Sequence, residues 1–397
     1  MSSRLRVVLA PDKFKGTLTA PEAAEALARG IASSHPAAET VALPVADGGD
    51  GTLDVFLGAG FSSHAVTVTG PRGQAVSSAF ALSPDGRTAV VETARTSGLA
   101  MMGPGPLDPL GATSRGVGEA IRAALDAGAR EIVVGLGGSA CTDGGAGMLE
   151  ALGVRLLDDD GGPAPLGGGG LARLESVSLR GLDPRLAGTR VTLACDVSNP
   201  LLGPNGAAAV YGPQKGASPE DVRVLESALA RWDRLLAEAV EEAGMRGPAR
   251  TSGGGESLPG PRAADLPGAG AAGGIGYAAL SALGARMRPG IELVRETLGL
   301  EEALRDADLV ITGEGRLDEQ SLQGKAPSGV LEAARRAGVP AAAVCGVNEL
   351  PAELHGFAGV FALMDTAPDA ETALRDAARL LEELGARLPL EQLAGRR

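Results

Sequence analysis

The sequence predicts an α/β protein of two domains, one of them discontinuous. Three observations carry this. At 397 residues the chain is too long for one core of ordinary size. Strand-like and helix-like segments alternate at both ends, the sign of parallel β–α–β units. After about residue 60 the texture changes to short alternating runs separated by Pro-Arg-Gly and Pro-Asp-Gly turns. The expectation is a Rossmann-like parallel α/β domain built from residues 1–62 and 285–397, with a mixed α/β domain inserted as residues 63–284.

Each element follows in order. LRVVLA (5–10) reads as a strand. TAPEAAEALARGIASS reads as a helix, with Thr19 as N-cap, Pro21 in the first turn and Glu22 completing a capping box. TVALPV (40–45) is a second strand, running into DGGDG at 47–51. HAVTVTGP, AVSSAFALS and TAVVETA read as an antiparallel meander. TSRGVGEAIRAALDAGA is a helix and EIVVGLG a buried strand. A second Asp-Gly-Gly-x-Gly, DGGAG at 143–147, opens the helix-like MLEALG. Residues 158–170 read as a polar, glycine-rich loop, and VTLACDV (191–197) as a buried strand. ASPEDVRVLESALARWDRLLAEAV is an amphipathic helix. Residues 244–270 read as a mobile loop. Helix GYAALSALG, strand DADLVITGEG, helix SGVLEAARRAG, strands PAAAVCG and GVFALMD, and a long final helix complete the chain.

Composition narrows the function. Hydrophobic residues are 44% of the chain but aromatics only 2%, so the core must be built from Ala, Val and Leu. A net charge of −13 with no basic block argues against nucleic acid or an anionic membrane as partner. No apolar stretch has the length of a membrane-spanning helix, and the N-terminus does not read as a signal peptide. Cys141, Cys195 and Cys345 are far apart and form no C-x-x-C, which fits a reducing, cytoplasmic setting. The three histidines lack metal-ligand spacing. No role is assigned to His35, His64, His355 or Trp232; the tryptophan reads as core or interface.

Five polar loops follow expected strands: APDKFKG, PVADGGDGT, LGGSACTDGGAG, CDVSNPLLGPNG and TGEGRLDEQSLQGK. Ligands of open α/β sheets bind at such strand ends. Glycine-rich turns at helix starts present N–H groups to an anion, whereas carboxylates repel a phosphate unless a divalent cation lies between. Carboxylates, glycines and lysine together point to Mg2+-nucleotide chemistry. Of 36 cationic side chains only four are lysine, namely Lys13, Lys15, Lys215 and Lys325, and all four sit in Gly- or Pro-flanked loops. No G-x-x-x-x-G-K-[ST] is present, so this is not a P-loop sequence. Two alternatives stay open: a non-catalytic nucleotide or metabolite binder, and an NAD-type oxidoreductase. The latter rests on GLGGSA (135–140), which fits G-x-G-x-x-A after a strand, with Asp158 as ribose acid.

The chain resembles the type I glycerate kinases over nearly its full length. The segments that carry the resemblance are APDKFKGTLTAPEAAEA, PVADGGDGT, DPLGATSRGVGEAI, GLGGSACTDGGAGMLEALG, ACDVSNPLLGPNGAAAVYGPQKGAS, PGAGAAGGIGYA and VITGEGRLDEQSLQGKAPSGV. The resemblance implies an ATP-dependent, Mg2+-assisted kinase acting on D-glycerate, in a two-domain α/β fold with the active site in the cleft. The implied product is 2-phosphoglycerate, with 3-phosphoglycerate as the alternative, and ATP and D-glycerate are the small-molecule partners. Lys13, Cys141, Arg95 and Thr96 depart from the commonest family pattern.

Phosphoryl transfer needs positioning, charge neutralisation and a group to take the hydroxyl proton. Asp196 is the candidate base or Mg2+ ligand, against a plain turn role. Asp47 and Asp50, with Gly48 and Gly49, make a candidate metal–phosphate loop, against a helix-start turn. Asp143 and Gly144 carry the same two readings. Ser139 and Thr142 are candidate hydroxyl donors. In TGEGRLD, Glu314, Arg316 and Asp318 are candidates, Arg316 to clamp a carboxylate, against an internal ion pair. Lys15 and Lys325 lead the phosphate candidates, followed by Lys215.

Overall fold

The computed structural model describes residues 4–245, 262–322, 324–351 and 356–395. Most of the loop expected at 244–270 lies outside the described residues, as does His355. The chain divides into two compact units, Met1–Ala59 with Pro289–Arg397, and Gly60–Arg288.

The first unit opens with β1 (Arg6–Pro11) and β2 (Glu39–Ala42). The second unit holds β3 (Ser62–Thr69), β4 (Ala75–Leu82), β5 (Thr88–Glu92), β6 (Glu131–Gly135), β7 (Arg155–Asp158), β8 (Leu174–Ser178), β9 (Arg190–Ala194) and β10 (Arg286–Arg288). The first unit resumes with β11 (Leu309–Leu317), β12 (Ala341–Asn348) and β13 (Gly359–Ala362).

The first unit is a five-stranded parallel sheet in the order β13-β12-β11-β1-β2. Counted along this unit's own strands that order is 2-1-3-4-5 read from the β2 edge, a doubly wound arrangement whose switch point lies between β1 and β11. Val7 and Leu9 of β1 face Leu309 and Ile311 of β11 in register, and all four are buried. The helix Ala20–Ser34 packs on this sheet beside the helix Ala377–Arg387. Its start is the expected capping box: Thr19 N–H donates to Glu22 Oε2 at 2.8 Å, and Glu22 N–H donates to Thr19 Oγ1. The long final helix read from sequence is instead three pieces, Ala370–Arg375, Ala377–Arg387 and Leu390–Leu393. Asp376 breaks the first junction with φ −106° and ψ 21°, and Pro389 precedes the last piece.

The second unit is a six-stranded mixed sheet, β10-β9-β6-β5-β4-β3. β3, β4 and β5 pair antiparallel, and β5, β6, β9 and β10 pair parallel. β7 and β8 form a separate two-stranded ribbon, so the glycine-rich stretch at 158–170 is the connection within a hairpin. The helix Pro219–Glu242, capped by Ser218, places fully buried Trp232 in the core beside Tyr277.

Candidate active site

In the first unit the site grows from the switch point. β1 is buried from Val7 onward and delivers Asp12, whose N–H donates to Gly313 O of β11 at 2.7 Å. Asp12 is only 6% exposed, and its Oδ1 accepts from the Lys13 N–H at 2.6 Å. Burial is the main reason its carboxyl is pushed up to about 7; Lys13 pulls it down, while Asp47 and Glu314 push it further up. Glu314, two residues before the exposed Arg316 on β11, is also raised, chiefly by burial. Ser321 and Lys325 act against that rise, and Asp318 and Asp47 add to it. Its Oε1 is buried with no hydrogen-bond partner. Asp12, Asp47 and Glu314 therefore act on one another electrostatically near this strand end, and Lys13 and Lys325 act against them.

The first Asp-Gly-Gly turn supplies Asp47. Its Oδ1 accepts from the Gly49 N–H at 3.0 Å, an Asx turn that holds the carboxylate near the strand end. Gly290 backs onto this turn so closely that a Cβ there would lie 1.8 Å from Asp47 O. Gly48 is buried, Asp50 is exposed, and Gly51 starts the helix Thr52–Gly58 from the left-handed region, φ 89°. Lys15 is exposed in the tight turn closed by Leu18 N–H to Phe14 O. Lys325 is the N-cap residue of the helix Ala326–Ala337. Asp318 Oδ1 caps a turn by accepting from the Ser321 N–H at 3.2 Å. Arg316 pairs with Glu349 at 2.9 Å, both well exposed, so the ion-pair reading describes its contact here, with Glu349 as the acid.

In the second unit the loop after β6 is built around a buried lysine. Lys215 is 3% exposed, and its Nζ donates to Ser139 Oγ at 3.0 Å and to Cys141 O at 2.6 Å. Burial lowers the pKa of this ammonium, against the opposing pull of Cys141 and Asp143. Thr142 Oγ1 is buried with no hydrogen-bond partner. Asp143, 1% exposed, is held by surrounding hydroxyls and backbone amides. Its Oδ2 accepts from the Ser114 N–H at 2.7 Å, Ser114 Oγ at 2.8 Å, Thr113 Oγ1 and the Gly147 N–H, and its Oδ1 accepts from the Gly145 N–H at 3.1 Å. Gly144 O accepts from Trp232 Nε1 at 2.9 Å, and a Cβ on Gly144 would lie 2.4 Å from the indole ring. Asp196 is exposed just beyond β9, next to Cys195, whose N–H donates to Arg288 O.

The two Asp-Gly-Gly-x-Gly copies are thus different objects. In both, the Asp accepts from the N–H two residues on. The helix then starts after the fifth residue of the first copy, at Thr52, but after the third of the second, at Ala146. One carboxylate is half-buried among other acids, and the other is locked by hydroxyls and amides.

Comparison with known proteins decides the family. The glycerate kinase family model matches residues 7–390. The chain belongs to the glycerate kinase family. It is accordingly an enzyme of the phosphotransferase class. Glycerate kinase of Bacillus subtilis (strain 168) is 43% identical over 383 residues, 95% of each chain. Glycerate 2-kinase of Escherichia coli (strain K12) is 41% identical over 378 residues, 94% of each chain. A crystal structure described as glycerate kinase 2 from Salmonella typhimurium LT2 superposes with a TM-score of 0.84 at 42% identity, covering 99% of both chains. The two-domain α/β class expected from sequence is the class of this fold.

The dinucleotide motif loses its geometry in this family member. A pyrophosphate-binding glycine motif opens a helix directly, whereas here the helix starts at Ala146, well past GLGGSA. Asp158 ends β7 in the separate ribbon and pairs with Arg173. Sequence reasoning missed Asp12. The available signal was its place as the first acid beyond a buried strand, in APDKFKG.

Proposed function

We propose that the enzyme transfers the γ-phosphoryl group of ATP to the 2-hydroxyl of D-glycerate, giving 2-phosphoglycerate and ADP, with Mg2+ required. The observation that carries this reading is the buried Asp12 at the β1/β11 switch point, with Asp47 and Glu314 in electrostatic reach of it. Three acids in mutual electrostatic reach, one with a buried oxygen lacking any hydrogen bond, suit a hard divalent cation, which takes oxygen ligands. These three would hold Mg2+ in the first unit, with Asp50, exposed on the same turn, as a ligand through water. When bound there the cation would supply positive charge to the transferring phosphoryl group.

The remaining roles belong to this chain's own groups. Lys15 and Lys325 bind phosphate oxygens as point charges in the first unit. Asp318 and Arg316 shape the loop between them. In the second unit, Lys215 holds Ser139 and the Cys141 carbonyl in place, so that Ser139 and Thr142 present hydroxyls in a fixed geometry. Asp143 and Gly144 act by rigidity, and Asp196 accepts the proton of the glycerate hydroxyl. The name of the Escherichia coli relative supports the 2-position. No described helix is long and apolar enough to cross a membrane, and a cytoplasmic setting is part of the proposal.

The test is ADP release coupled to an optical readout, with and without D-glycerate. ADP must appear only with glycerate, stop in excess EDTA and return with added Mg2+. Full turnover in EDTA would contradict the cation's role. Glycerate-dependent reduction of NAD without ADP release would move the chain to the oxidoreductase reading.

A further inference from the structure

A second feature of the first unit is used by none of these roles. Between the helices Gly290–Leu298 and Ala326–Ala337 lies a pocket of about 430 Å³. We infer that this pocket holds the adenosine part of the phosphoryl donor, so that the first unit carries the nucleotide. The inference rests on the kinase reading above, since it assigns a place to a nucleotide that reading requires.

Four properties of the pocket argue for a nucleoside. Its volume lies in the range of small-molecule sites, roughly 300–1,000 Å³, and is ample for adenosine. Ile291, Leu322 and Leu331 give it apolar walls for a flat ring. Its charged lining is balanced, Arg295 and Arg335 against Glu292 and Glu332, so it does not select an anion but offers donors and acceptors to an uncharged polar ligand. Its wall is also preorganised. Arg295 is 4% exposed, its Nη1 donates to Gly329 O at 2.9 Å, and its Nε lies 3.1 Å from Glu301 Oε1. A Cβ on Gly329 would lie 2.3 Å from Ile291 Cγ1, so the two helices meet tightly at the pocket's edge.

Position supplies the last argument. Gly324 and Ser328 line the pocket, and Lys325 lies between them in sequence. Ser328 Oγ donates to Lys325 O at 2.9 Å, tying the pocket to that residue. Lys325 in turn acts electrostatically on Glu314 of the acid group. The charge-balanced pocket thus adjoins, along the chain, a lysine at a helix start, whose charge in turn acts on one of the carboxylates suited to a cation. That is the order of base and sugar, phosphates and metal in a nucleotide.

Photolabelling of the full chain with 2-azido-ATP tests the placement. Label chased by ADP and recovered within 289–295 or 324–335 is the expected result. Label within 60–288, or label that ADP does not chase, would overturn it. A kinetic arm uses Ser328→Phe, which places a ring in the pocket. Its KM for ATP is expected to rise at least about tenfold, with the KM for D-glycerate within about twofold of the parent. An unchanged KM for ATP in a folded variant would overturn the inference, and the photolabelling needs no variant to fold. The two readings separate cleanly. Label in the first unit without glycerate-dependent ADP release would defeat the kinase proposal and leave the nucleotide pocket standing. Turnover with label in the second unit would do the reverse.

Discussion

Replacing Asp12 by Asn should stabilise the protein at alkaline pH while impairing its activity. The argument is one of linkage. In the folded chain the Asp12 carboxyl is pushed from its ordinary 3.8 up to about 7, mainly by burial. A group whose folded value is raised stabilises fully below its unfolded value, and that stabilisation is lost as pH rises through the folded value. Between about pH 4 and 7 the folded chain therefore holds a proton that the unfolded chain has released, and stability falls with rising pH. The difference from 3.8 to about 7 corresponds to about 4 kcal/mol as an upper figure, at about 1.4 kcal/mol per tenfold change. Asn keeps an oxygen for the Lys13 N–H and brings no charge into the buried site. Urea denaturation in EDTA, for parent and Asp12→Asn at pH 5, 6.5 and 8, reads the effect. The variant should gain about 1.5 kcal/mol at pH 5 and about 4 kcal/mol at pH 8, as upper figures, while glycerate-dependent turnover drops by about a hundredfold or more. A stability gap that does not change with pH, or a variant less stable than the parent at pH 8, would refute the reasoning.

Other changes separate structural from chemical roles. Asp143→Ala leaves several buried donors without an acceptor and should cost about 3 kcal/mol or more, whereas Asp47→Ala removes one backbone bond and should cost about 1 kcal/mol; equal losses in urea denaturation would erase the distinction between the two turns. Asp196→Asn removes a charge at an exposed position, so kcat should fall at least about a hundredfold with the denaturation midpoint unmoved; parent-like kcat would end its assignment as proton acceptor. Lys15→Met should raise the KM for ATP or D-glycerate without loss of stability, because the side chain is exposed, and unchanged kcat and KM would leave it without a role.

Local signals were legible wherever a short stretch of chain decides the outcome. The Thr19–Glu22 capping box needs only a few residues and stands as read. The final helix misled because its apolar periodicity continues through Asp376 and Leu388, where backbone torsions and Pro389 interrupt it. The identical Asp-Gly-Gly-x-Gly strings were legible as turns but not as different turns. What separates them is contact with residues about 30 to 90 positions away in the second copy, Ser114 and Trp232, which no local pattern encodes. Asp12 escaped for a related reason. An acid after a strand becomes informative only when β11 brings Glu314 beside it from some 300 residues away. Lys215 was legible as a candidate from lysine scarcity alone, but not its burial against Ser139.

The product of the reaction tests the central claim most directly. Proton-coupled phosphorus NMR of a mixture of enzyme, ATP, Mg2+ and D-glycerate reports both the transfer and its position. The account predicts ADP together with a new phosphate ester resonance split into a doublet by the single proton on carbon 2. A triplet, from an ester on the methylene of carbon 3, would contradict the proposed position, and no ester resonance at all would contradict the transfer itself.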